Sequence, residues 1–369
     1  MYFQLGNDCY FIKGITCGVI YNISEERVIA LDKHETDIMD AVHNGMACEE
    51  EPFLTELCKQ GMGFFSQERY YIDRYRLYNT YMLMRSDLRV PQAECAFLQL
   101  TNQCVASAEK CREKFCAPCR CYVDREGSLE VEQWQRIVDM LIAAGFLSFV
   151  LTGGIVTAYP GLVQLMDYIK QHGAGLHLLV NDYCDLRMLE KDVPVIAYLC
   201  SEEINDEFLS GLVEFKYATV LLPDNIAPSM QRRINARFAS VQCVRAEKKP
   251  IDMSQMNPCG AQNFFKRRDS DSCFCGKMYI DCCGNLIPCF QAPSQVIGNI
   301  LSEPFPMLYK KLLMNYWHKP IAHEKCKQCE WLYSCPICTF MNPDELCTYD
   351  AQIGKWQAQH IKPLAICEK

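Results

Sequence analysis

Hydrophobic residues in the middle of the chain follow two alternating patterns. Short apolar runs, typical of buried strands, are separated by segments in which apolar residues recur every three or four positions, as on one face of a helix. The predicted strands are residues 96–100, 149–152, 176–180, 195–199 and 218–222, and the predicted helices are residues 128–144, 162–169 and 208–212. Because repeated strand–helix units form a parallel sheet, about six such units predict an α/β fold, a partial (β/α)6 barrel with its chemistry on the loops after the strands.

The ends of the first of these helices carry capping signals. Ser128 is the predicted N-cap, because a hydroxyl can accept a hydrogen bond from a free N–H of the first turn. Gly145 is predicted to end the helix, because glycine readily adopts the left-handed conformation found there.

The first 85 residues have a different pattern, with strands before helices. Short β-type runs at residues 9–13, 18–23 and 25–30 precede amphipathic segments at residues 32–42 and 52–60. Strands followed by helices in so few residues predict a winged-helix-like module. The edge of its sheet could bind an extended peptide, and a structural cap without a ligand is the alternative.

Changes of pattern along the chain predict three domains. The polar run that ends at Pro91 is the predicted linker after the first module, since the residue before a proline disfavours the helical conformation. The predicted domains are a recognition module at residues 1–85, a barrel at residues 92–250 and a cysteine-rich domain at residues 251–369.

Composition and charge narrow the classes of partner and location. Half of the residues are hydrophobic and the net charge is −8, which argues against non-specific binding to nucleic acid or to anionic membranes. No apolar run reaches transmembrane length, and the N-terminus resembles no signal peptide. A cytoplasmic location is therefore expected.

The chain contains 25 cysteines, and in a reducing compartment such a number indicates metal binding or catalysis rather than disulfides. The densest group is Cys326, Cys329, Cys335 and Cys338, which is preceded by Cys275-(x8)-Gly284-(x4)-Cys289 and followed by Cys347. Thiolates two residues apart can bind one metal ion or one iron–sulfur cluster. A disulfide framework and a zinc ribbon are the alternatives.

A second group of thiols follows the first predicted barrel strand, and it comprises Cys104, Cys111, Cys116, Cys119 and Cys121. A four-iron cluster with one iron that lacks a protein ligand is open to a small molecule. Gly153 and Gly154, at the end of the second strand, let a ligand approach the backbone because they have no Cβ. A loop that binds zinc or nothing is the alternative here.

These motifs together resemble those of the radical S-adenosylmethionine enzymes, in which a strand, a cysteine loop after "LTN", an amphipathic helix and "LTGG" follow in this order. The tail resembles the SPASM extension of that superfamily, including the "IGNI" turn at residues 297–300. The N-terminal module is similar to the precursor-recognition domains of enzymes that modify ribosomally made peptides.

The resemblance implies a set of ligands for iron–sulfur clusters. It implies a [4Fe-4S] cluster at the barrel mouth, with S-adenosylmethionine beside Gly153 and Gly154, held by Cys111, Cys116 and Cys119. It further implies one or two auxiliary clusters, one on Cys259, Cys275, Cys289 and Cys338 and the other on Cys326, Cys329, Cys335 and Cys347. Two assignments stay open, because Cys104 or Cys121 is an alternative at the barrel mouth and Cys273 is an alternative to Cys275.

The activity that the resemblance implies is peptide modification by a radical. One electron from the barrel cluster would cleave S-adenosylmethionine to methionine and a 5′-deoxyadenosyl radical, which would remove a hydrogen atom from a ribosomally made precursor peptide. A thioether or another crosslink would then form. The implied partners are the precursor peptide and an external electron donor of the flavodoxin or ferredoxin type.

The chain departs from the family pattern at two points. The usual loop is C-x3-C-x2-C, whereas the nearest fit here is Cys111-(x4)-Cys116-(x2)-Cys119. The usual strand-end motif is Gly-Gly-Glu-Pro, in which the glutamate helps to orient the methionine amino group, but Ile155 and Val156 follow Gly154. A second hypothesis is therefore a catalytically silent partner that binds a precursor peptide or an active maturase.

Overall fold

The structure is a computed structural model of the 369-residue chain. It describes residues 1–74, 93–104, 127–199, 205–223, 226–244, 251–256, 259–269, 275–290, 292, 294–317, 323–336, 340 and 342–357. The described residues form two compact units. The first unit takes its residues from the ranges 1–89, 249–273 and 318–369, and the second from 90–248 and 274–317. The three predicted domains stay a prediction.

The N-terminal part of the first unit contains two small antiparallel sheets and two helices. Its elements are β1 (Tyr2–Leu5), β2 (Cys9–Lys13), β3 (Gly18–Asn22), β4 (Arg27–Leu31), α1 (Lys33–His43), α2 (Pro52–Lys59) and β5 (Gly63–Ser66). Strands β2, β3 and β4 form a meander, and β1 pairs with β5. The predicted order of strands and helices is confirmed from β2 to α2, and the winged-helix-like assignment stays a prediction.

Strand β3 is buried on both faces and joins the two halves of the first unit. Ile20 packs with residues of the strands and helices just described. Val19 and Tyr21 point to the other face and pack against Phe264 and Trp331 from the C-terminal half of the chain. All five residues of β3 are therefore buried, since side chains alternate between the two faces of a strand.

The C-terminal part of the first unit is built from short elements. These are helices at Ala261–Asp269, Glu324–Lys327 and Pro343–Leu346 and the paired strands β15 (Tyr349–Asp350) and β16 (Lys355–Trp356). Ile251 forms an isolated parallel bridge with Cys347, which fixes the segment after residue 250 beside the cysteine-rich tail.

The second unit is an α/β structure around one large, mostly parallel sheet. Its strands are β6 (Cys95–Gln99), β7 (Ser148–Thr152), β8 (Gly175–Asn181), β9 (Val195–Tyr198), β10 (Ala218–Pro223), β11 (Ser240–Val244), β12 (Lys277–Ile280), β13 (Asn285–Ile287) and β14 (Gly298–Asn299). From β6 to β11 each strand pairs in parallel with the next one in the chain. This order is that of a (β/α) barrel, and the α/β prediction is confirmed.

Helices connect most of these strands, namely α3 (Val131–Ala143), α4 (Leu162–Gln171), α5 (Asp206–Val213) and α6 (Pro228–Asn235), and a further helix spans Phe305–Leu312. Strand β12 pairs in parallel with β6 on the side away from β7, and β13 and β14 continue the sheet antiparallel. In the described part of the chain, no helix has both the length and the apolar surface to cross a membrane.

One predicted cap is wrong. Helix α3 begins at Val131, and its N-cap is Glu130 rather than Ser128. The Gln133 Oε1 atom accepts a hydrogen bond from the Glu130 N–H at 2.9 Å, so a side chain three residues into the helix satisfies this backbone donor. Gly145 has a φ of +95° and follows the helix end, as predicted.

Candidate functional site

Four of the predicted tail ligands lie close together in the first unit. Cys326 lies on a short helix, and the Cys329 N–H donates to the Cys326 carbonyl oxygen at 3.2 Å. The Cys335 N–H donates to the Trp331 carbonyl oxygen at 2.9 Å. Cys347 reaches the group through its bridge to Ile251, which packs against Cys326 and Cys335. Short turns thus hold the first three thiols, and the bridge to the distant residue Ile251 fixes the fourth.

Burial and mutual repulsion shape the acidity of these thiols. Burial raises the pKa of Cys326 to about 12, with further contributions from the neighbouring Cys335 and Cys347. Burial also raises the pKa of Cys329, and Glu330, Cys335 and Cys347 raise it further. Cys335 and Cys347 therefore lie within electrostatic range of both Cys326 and Cys329. A metal that binds here must displace their protons.

The donor set fits an iron–sulfur cluster. It offers four sulfur atoms, the ligand type that such clusters use, and the cysteines in the described part of the chain form no disulfides. No group of three or more His, Cys, Asp or Glu side chains in the described residues is placed to hold a single metal ion. Thiolates around a polynuclear cluster lie farther apart than around one ion, because iron and sulfide atoms separate them.

The other predicted auxiliary ligands fall in both units. Cys259 lies in the first unit, where its Sγ donates to the Tyr333 carbonyl oxygen at 3.2 Å and burial raises its pKa to about 11. Cys275 and Cys289 are buried in the second unit, just before β12 and just after β13. The antiparallel register pairs Tyr279 with Ile287, so both thiols lie at the open end of this hairpin. Cys338 lies outside the described residues, as does Cys273, the alternative to Cys275.

Two further cysteines lie at the opposite end of the same hairpin. Cys282 and Cys283 form its turn, at the carboxyl end of β12. Burial raises the pKa of Cys282 to about 12, and the neighbouring Cys283 raises it further. The Asp281 Oδ1 atom holds the turn by accepting from the backbone N–H groups of Cys283 and Asn285 at 3.0 and 2.8 Å. Sequence spacing alone does not relate this pair to Cys275 and Cys289, because their placement on one hairpin follows from the pairing of β12 with β13.

The glycine pair lies at the carboxyl edge of the parallel sheet. Gly153 and Gly154 have φ values of +119° and +56°, a region that favours glycine. A Cβ on Gly153 would overlap the Thr101 carbonyl oxygen, so the loop after β7 packs closely on the loop after β6. The Ile155 N–H donates to the Gln103 carbonyl oxygen at 2.7 Å and fixes this contact.

Asn181, at the end of β8, ties its loop to the glycine pair. The Asn181 Nδ2 donates to the Gly154 carbonyl oxygen at 3.0 Å, and its Oδ1 accepts from the Tyr183 N–H at 3.1 Å. The Cys184 Sγ donates to the same amide oxygen at 3.4 Å. The asparagine is fully buried. The loops after three neighbouring strands are therefore held in one arrangement.

Buried polar side chains line the same edge. Gln99 and Thr152 are register partners at the ends of β6 and β7, and they are 0% and 1% exposed. The Gln99 Nε2 donates to the Asn102 Oδ1. The Gln99 Oε1 and the Thr152 Oγ1 have no hydrogen-bond partner among the described residues. Because a buried polar atom without a partner costs about 1–3 kcal/mol, these two atoms mark a place where a polar ligand would be stabilised.

The predicted ligands of the barrel-mouth cluster are Cys111, Cys116 and Cys119, and they lie outside the described residues, as does their alternative Cys121. Cys104 is described and lies half-buried on the loop after β6. The structure thus brings Cys104, Gly153 and Gly154 to one edge of the sheet, together with Gln99 and Thr152, which the sequence analysis did not single out.

No model of a known protein family and no curated protein matches the chain. Similar solved structures include SuiB of Streptococcus suis bound to S-adenosylmethionine, at 13% identity and a TM-score of 0.38, and SuiB bound to its precursor peptide SuiA, at 14% and 0.41. Each of these two matches covers 90% of this chain and 94% of the SuiB chain. The structure of anSMEcpe with bound AdoMet is 14% identical with a TM-score of 0.43, and the match covers 66% of this chain and 88% of that one. TM-scores below 0.5 do not establish a shared fold.

Proposed function

We propose that the chain is a radical S-adenosylmethionine enzyme with a SPASM-type tail, which installs a thioether or another crosslink in a ribosomally made precursor peptide. The observation that carries this proposal is the group of Cys326, Cys329, Cys335 and Cys347, of which Cys326 and Cys335 are buried and the other two half-buried, and in which Cys335 and Cys347 affect the pKa of both Cys326 and Cys329. A set of four cysteine ligands suits a [4Fe-4S] cluster, and the cysteine loop and glycine pair supply the family's sequence features.

The proposal assigns three groups of ligands. The four thiols just named would hold one auxiliary cluster, and Cys259, Cys275, Cys289 and Cys338 would hold a second. Cys111, Cys116 and Cys119 would hold the cluster at the barrel mouth. When bound, the barrel-mouth cluster and S-adenosylmethionine would supply one-electron chemistry and a carbon-centred radical that acts on the peptide.

The residues at the carboxyl edge would bind the cofactor and keep water out. Gly153 and Gly154 form this edge without a Cβ, and Asn181 fixes the second glycine from the next strand. The Gln99 Oε1 can accept a hydrogen bond, and the Thr152 hydroxyl can donate one or accept one. Because Gln99, Thr152 and Asn181 are all buried, this edge is dry, which protects a reactive intermediate from side reactions.

The remaining parts of the proposal concern partners and compartment. The N-terminal module would bind the precursor peptide, and a flavodoxin- or ferredoxin-type protein would deliver electrons. A cytoplasmic location agrees with described cysteines that form no disulfides, since such compartments keep thiols reduced.

A catalytically silent relative is the second candidate, and one observation favours it. Ile155 stands where the family carries a glutamate, and its backbone N–H is bonded to the Gln103 carbonyl oxygen. The next residue, Val156, is fully buried. No carboxylate is therefore available at these two positions to orient the methionine amino group.

Iron and sulfide analysis of the anaerobically prepared chain tests the proposal. Three four-iron clusters would give roughly twelve irons per chain. Cys329→Ala and Cys116→Ala should each remove about one cluster's worth of iron. Cys243→Ser is the matched control, because Cys243 is exposed and is not among the assigned ligands. A colourless protein with stoichiometric zinc and no iron would instead identify a zinc-ribbon interaction protein.

A further inference from the structure

The C-terminal turn of the helix at Ala261–Asp269 contacts the segment that carries three of the candidate cluster ligands. The Arg267 guanidinium donates a hydrogen bond from Nη1 to the Cys335 carbonyl oxygen. The Cys335 N–H is bonded to the Trp331 carbonyl oxygen, so both backbone polar groups of this cysteine have a partner. The arginine side chain is half-buried. A positively charged group is therefore held against the backbone of one of the four cysteines.

Aromatic packing sets the position of this helix. Phe264 is fully buried, and the centroid of its ring lies 4.6 Å from that of Tyr333 and 5.5 Å from that of Tyr21. Arg267 follows Phe264 by three residues, and side chains at this spacing lie on the same side of a helix. The core of the first unit thus directs the guanidinium toward the ligand segment.

The same guanidinium lies near a second cysteine, Cys259. Burial raises the pKa of the Cys259 thiol, and the positive charge of Arg267 opposes this rise. Such an effect requires the two groups to be close, because the interaction of charges weakens with distance. The Cys259 Sγ donates to the carbonyl oxygen of Tyr333, two residues before Cys335. Arg267 therefore lies close to cysteines from two separate segments.

The ligand segment itself has a surplus of negative charge. Residues 323–350 contain five Asp and Glu and two Lys. Both lysines already have carboxylate partners, because Lys325 pairs with Asp344 at 3.8 Å and Lys327 with Glu324 at 2.6 Å. Arg267 forms no ion pair with a carboxylate in the part of the chain that the structure describes. Its positive charge is therefore available to other negative groups nearby.

A cluster held by four thiolates is such a negative group. It has a net negative charge, and one-electron reduction makes this charge more negative by one. Because opposite charges attract, a nearby cation stabilises the reduced form more than the oxidised form. Net charge and hydrogen bonds around a cluster are among the factors that set its reduction potential.

We propose that Arg267 is a positioning residue for the iron–sulfur cluster of the four thiols, which fixes the Cys335 segment through its hydrogen bond and raises the reduction potential of the cluster through its charge. The proposal rests on the proposed function in one respect, namely that these four thiols hold an iron–sulfur cluster. It adds to the ligand assignment a residue that adjusts how readily this cluster accepts an electron.

A potentiometric titration followed by electron paramagnetic resonance tests this proposal. The full chain carries Cys116→Ala and Cys275→Ala, so that the cluster of the four thiols is the one expected to remain. Arg267→Gln should lower the reduction potential of this cluster by about 59 mV, which is a tenfold smaller ratio of reduced to oxidised cluster for a one-electron step. Iron content is measured in the same samples.

Arg268→Gln is the matched control, because it changes the net charge equally at the adjacent residue. The Arg268 side chain is exposed, and its guanidinium lies over the Phe265 ring at 4.8 Å. Since solvent and salt screen an exposed charge, this variant should change the ratio of reduced to oxidised cluster by less than about two-fold. An equal shift in both glutamine variants would overturn the proposal, as would an unchanged potential in Arg267→Gln.

Arg267→Lys separates the charge from the shape of the side chain. It keeps the positive charge, so its potential should lie closer to that of the parent chain than to that of Arg267→Gln, and a potential as low as that of Arg267→Gln would overturn the proposal. If Arg267→Gln takes up no iron at this site, iron uptake by Arg267→Lys decides: uptake supports the role of the charge, and its absence overturns it. A wild-type chain without iron would refute the radical enzyme assignment, whereas a loaded cluster whose potential is independent of Arg267 would refute this proposal alone.

Discussion

Asn181 is a buried side chain that positions the glycine pair of the candidate cofactor site, although it is not part of the sequence motif that predicted the site. Its amide joins the Gly154 carbonyl oxygen to the loop after β8. Asn181→Ala removes this hydrogen bond, which contributes about 1 kcal/mol, and should raise the dissociation constant of S-adenosylmethionine by about five-fold in equilibrium dialysis.

The matched control for Asn181 is Thr157→Val. Thr157 accepts a hydrogen bond from the Asp185 N–H at 3.2 Å, so its removal also loosens the contact between these two loops, but away from Gly154. We expect a similar loss of thermal stability and an unchanged affinity for S-adenosylmethionine. An Asn181→Ala variant with wild-type affinity would show that the asparagine has a structural role only.

Gly153 has both an unusual backbone conformation and a close neighbour. Gly153→Ala would place a Cβ on the Thr101 carbonyl oxygen at a φ of +119°, so we expect a loss of about 1–3 kcal/mol in the free energy of unfolding. Gly173→Ala is the control, since Gly173 also has a positive φ but open space around it. Urea titrations should show the larger loss for Gly153→Ala, and equal losses would contradict the close packing of the two loops.

The raised pKa of Cys326 predicts how the cluster-free chain responds to alkali. The folded chain binds this proton more tightly than the unfolded chain, in which the pKa is near 9.0. The resulting stabilisation is fully present below pH 9 and is lost as the pH rises toward about 12. The test measures the melting temperature of the chelator-treated wild-type chain and of Cys326→Ser between pH 8 and 10.5. The melting temperature of the variant should depend less on pH than that of the wild type. Parallel curves would contradict the burial of this thiol.

At the scale of elements, the tail is predicted to depend on its metal for stability. The segments that carry Cys326, Cys329, Cys335 and Cys347 are short, so ligand binding supplies free energy that a hydrophobic core would otherwise supply. Cys329→Ala should therefore lower the melting temperature of the iron-loaded chain more than that of the chelator-treated chain. Cys58, a half-buried thiol away from this group, provides the control. Cys58→Ala should lower the melting temperatures of the iron-loaded and the chelator-treated chain equally, and an equal lowering by Cys329→Ala would contradict a stabilising role of the metal.

The elements that the sequence predicted are those with strong apolar patterns. Strands β6 to β10 and the helices between them bury continuous runs, and their positions are confirmed. Strand β11 was missed because it lies at the edge of the sheet and none of its five residues is buried, with Gln242 and Cys243 both exposed. Strand β1 was missed because it is four residues long and pairs with β5, about 60 residues away.

The candidate site was predictable to the extent that local spacing defines it. The spacing of Cys326, Cys329 and Cys335 predicts a shared centre, which stays a prediction, and the structure places Cys335 within electrostatic range of both Cys326 and Cys329. Gln99 and Thr152 could not be recognised, because their proximity follows from the register of two strands that are far apart in the chain. The position of Cys282 and Cys283 relative to Cys275 and Cys289 likewise follows from the pairing of β12 with β13.

At the scale of the whole molecule, the chain combines two units with separate proposed tasks. The second unit holds the buried edge with the glycine pair, and the first unit holds the four-thiol group. The proposed function requires that these parts act on one peptide.

The most direct test of the central claim is reductive cleavage of S-adenosylmethionine. The anaerobic chain, reconstituted with iron and sulfide and reduced with dithionite, should form 5′-deoxyadenosine and methionine in equal amounts, as measured by mass spectrometry. Cys243→Ser should do the same, and Cys116→Ala should form neither product. A wild-type chain that carries its full iron content and forms no 5′-deoxyadenosine would contradict the enzyme assignment and favour the silent partner.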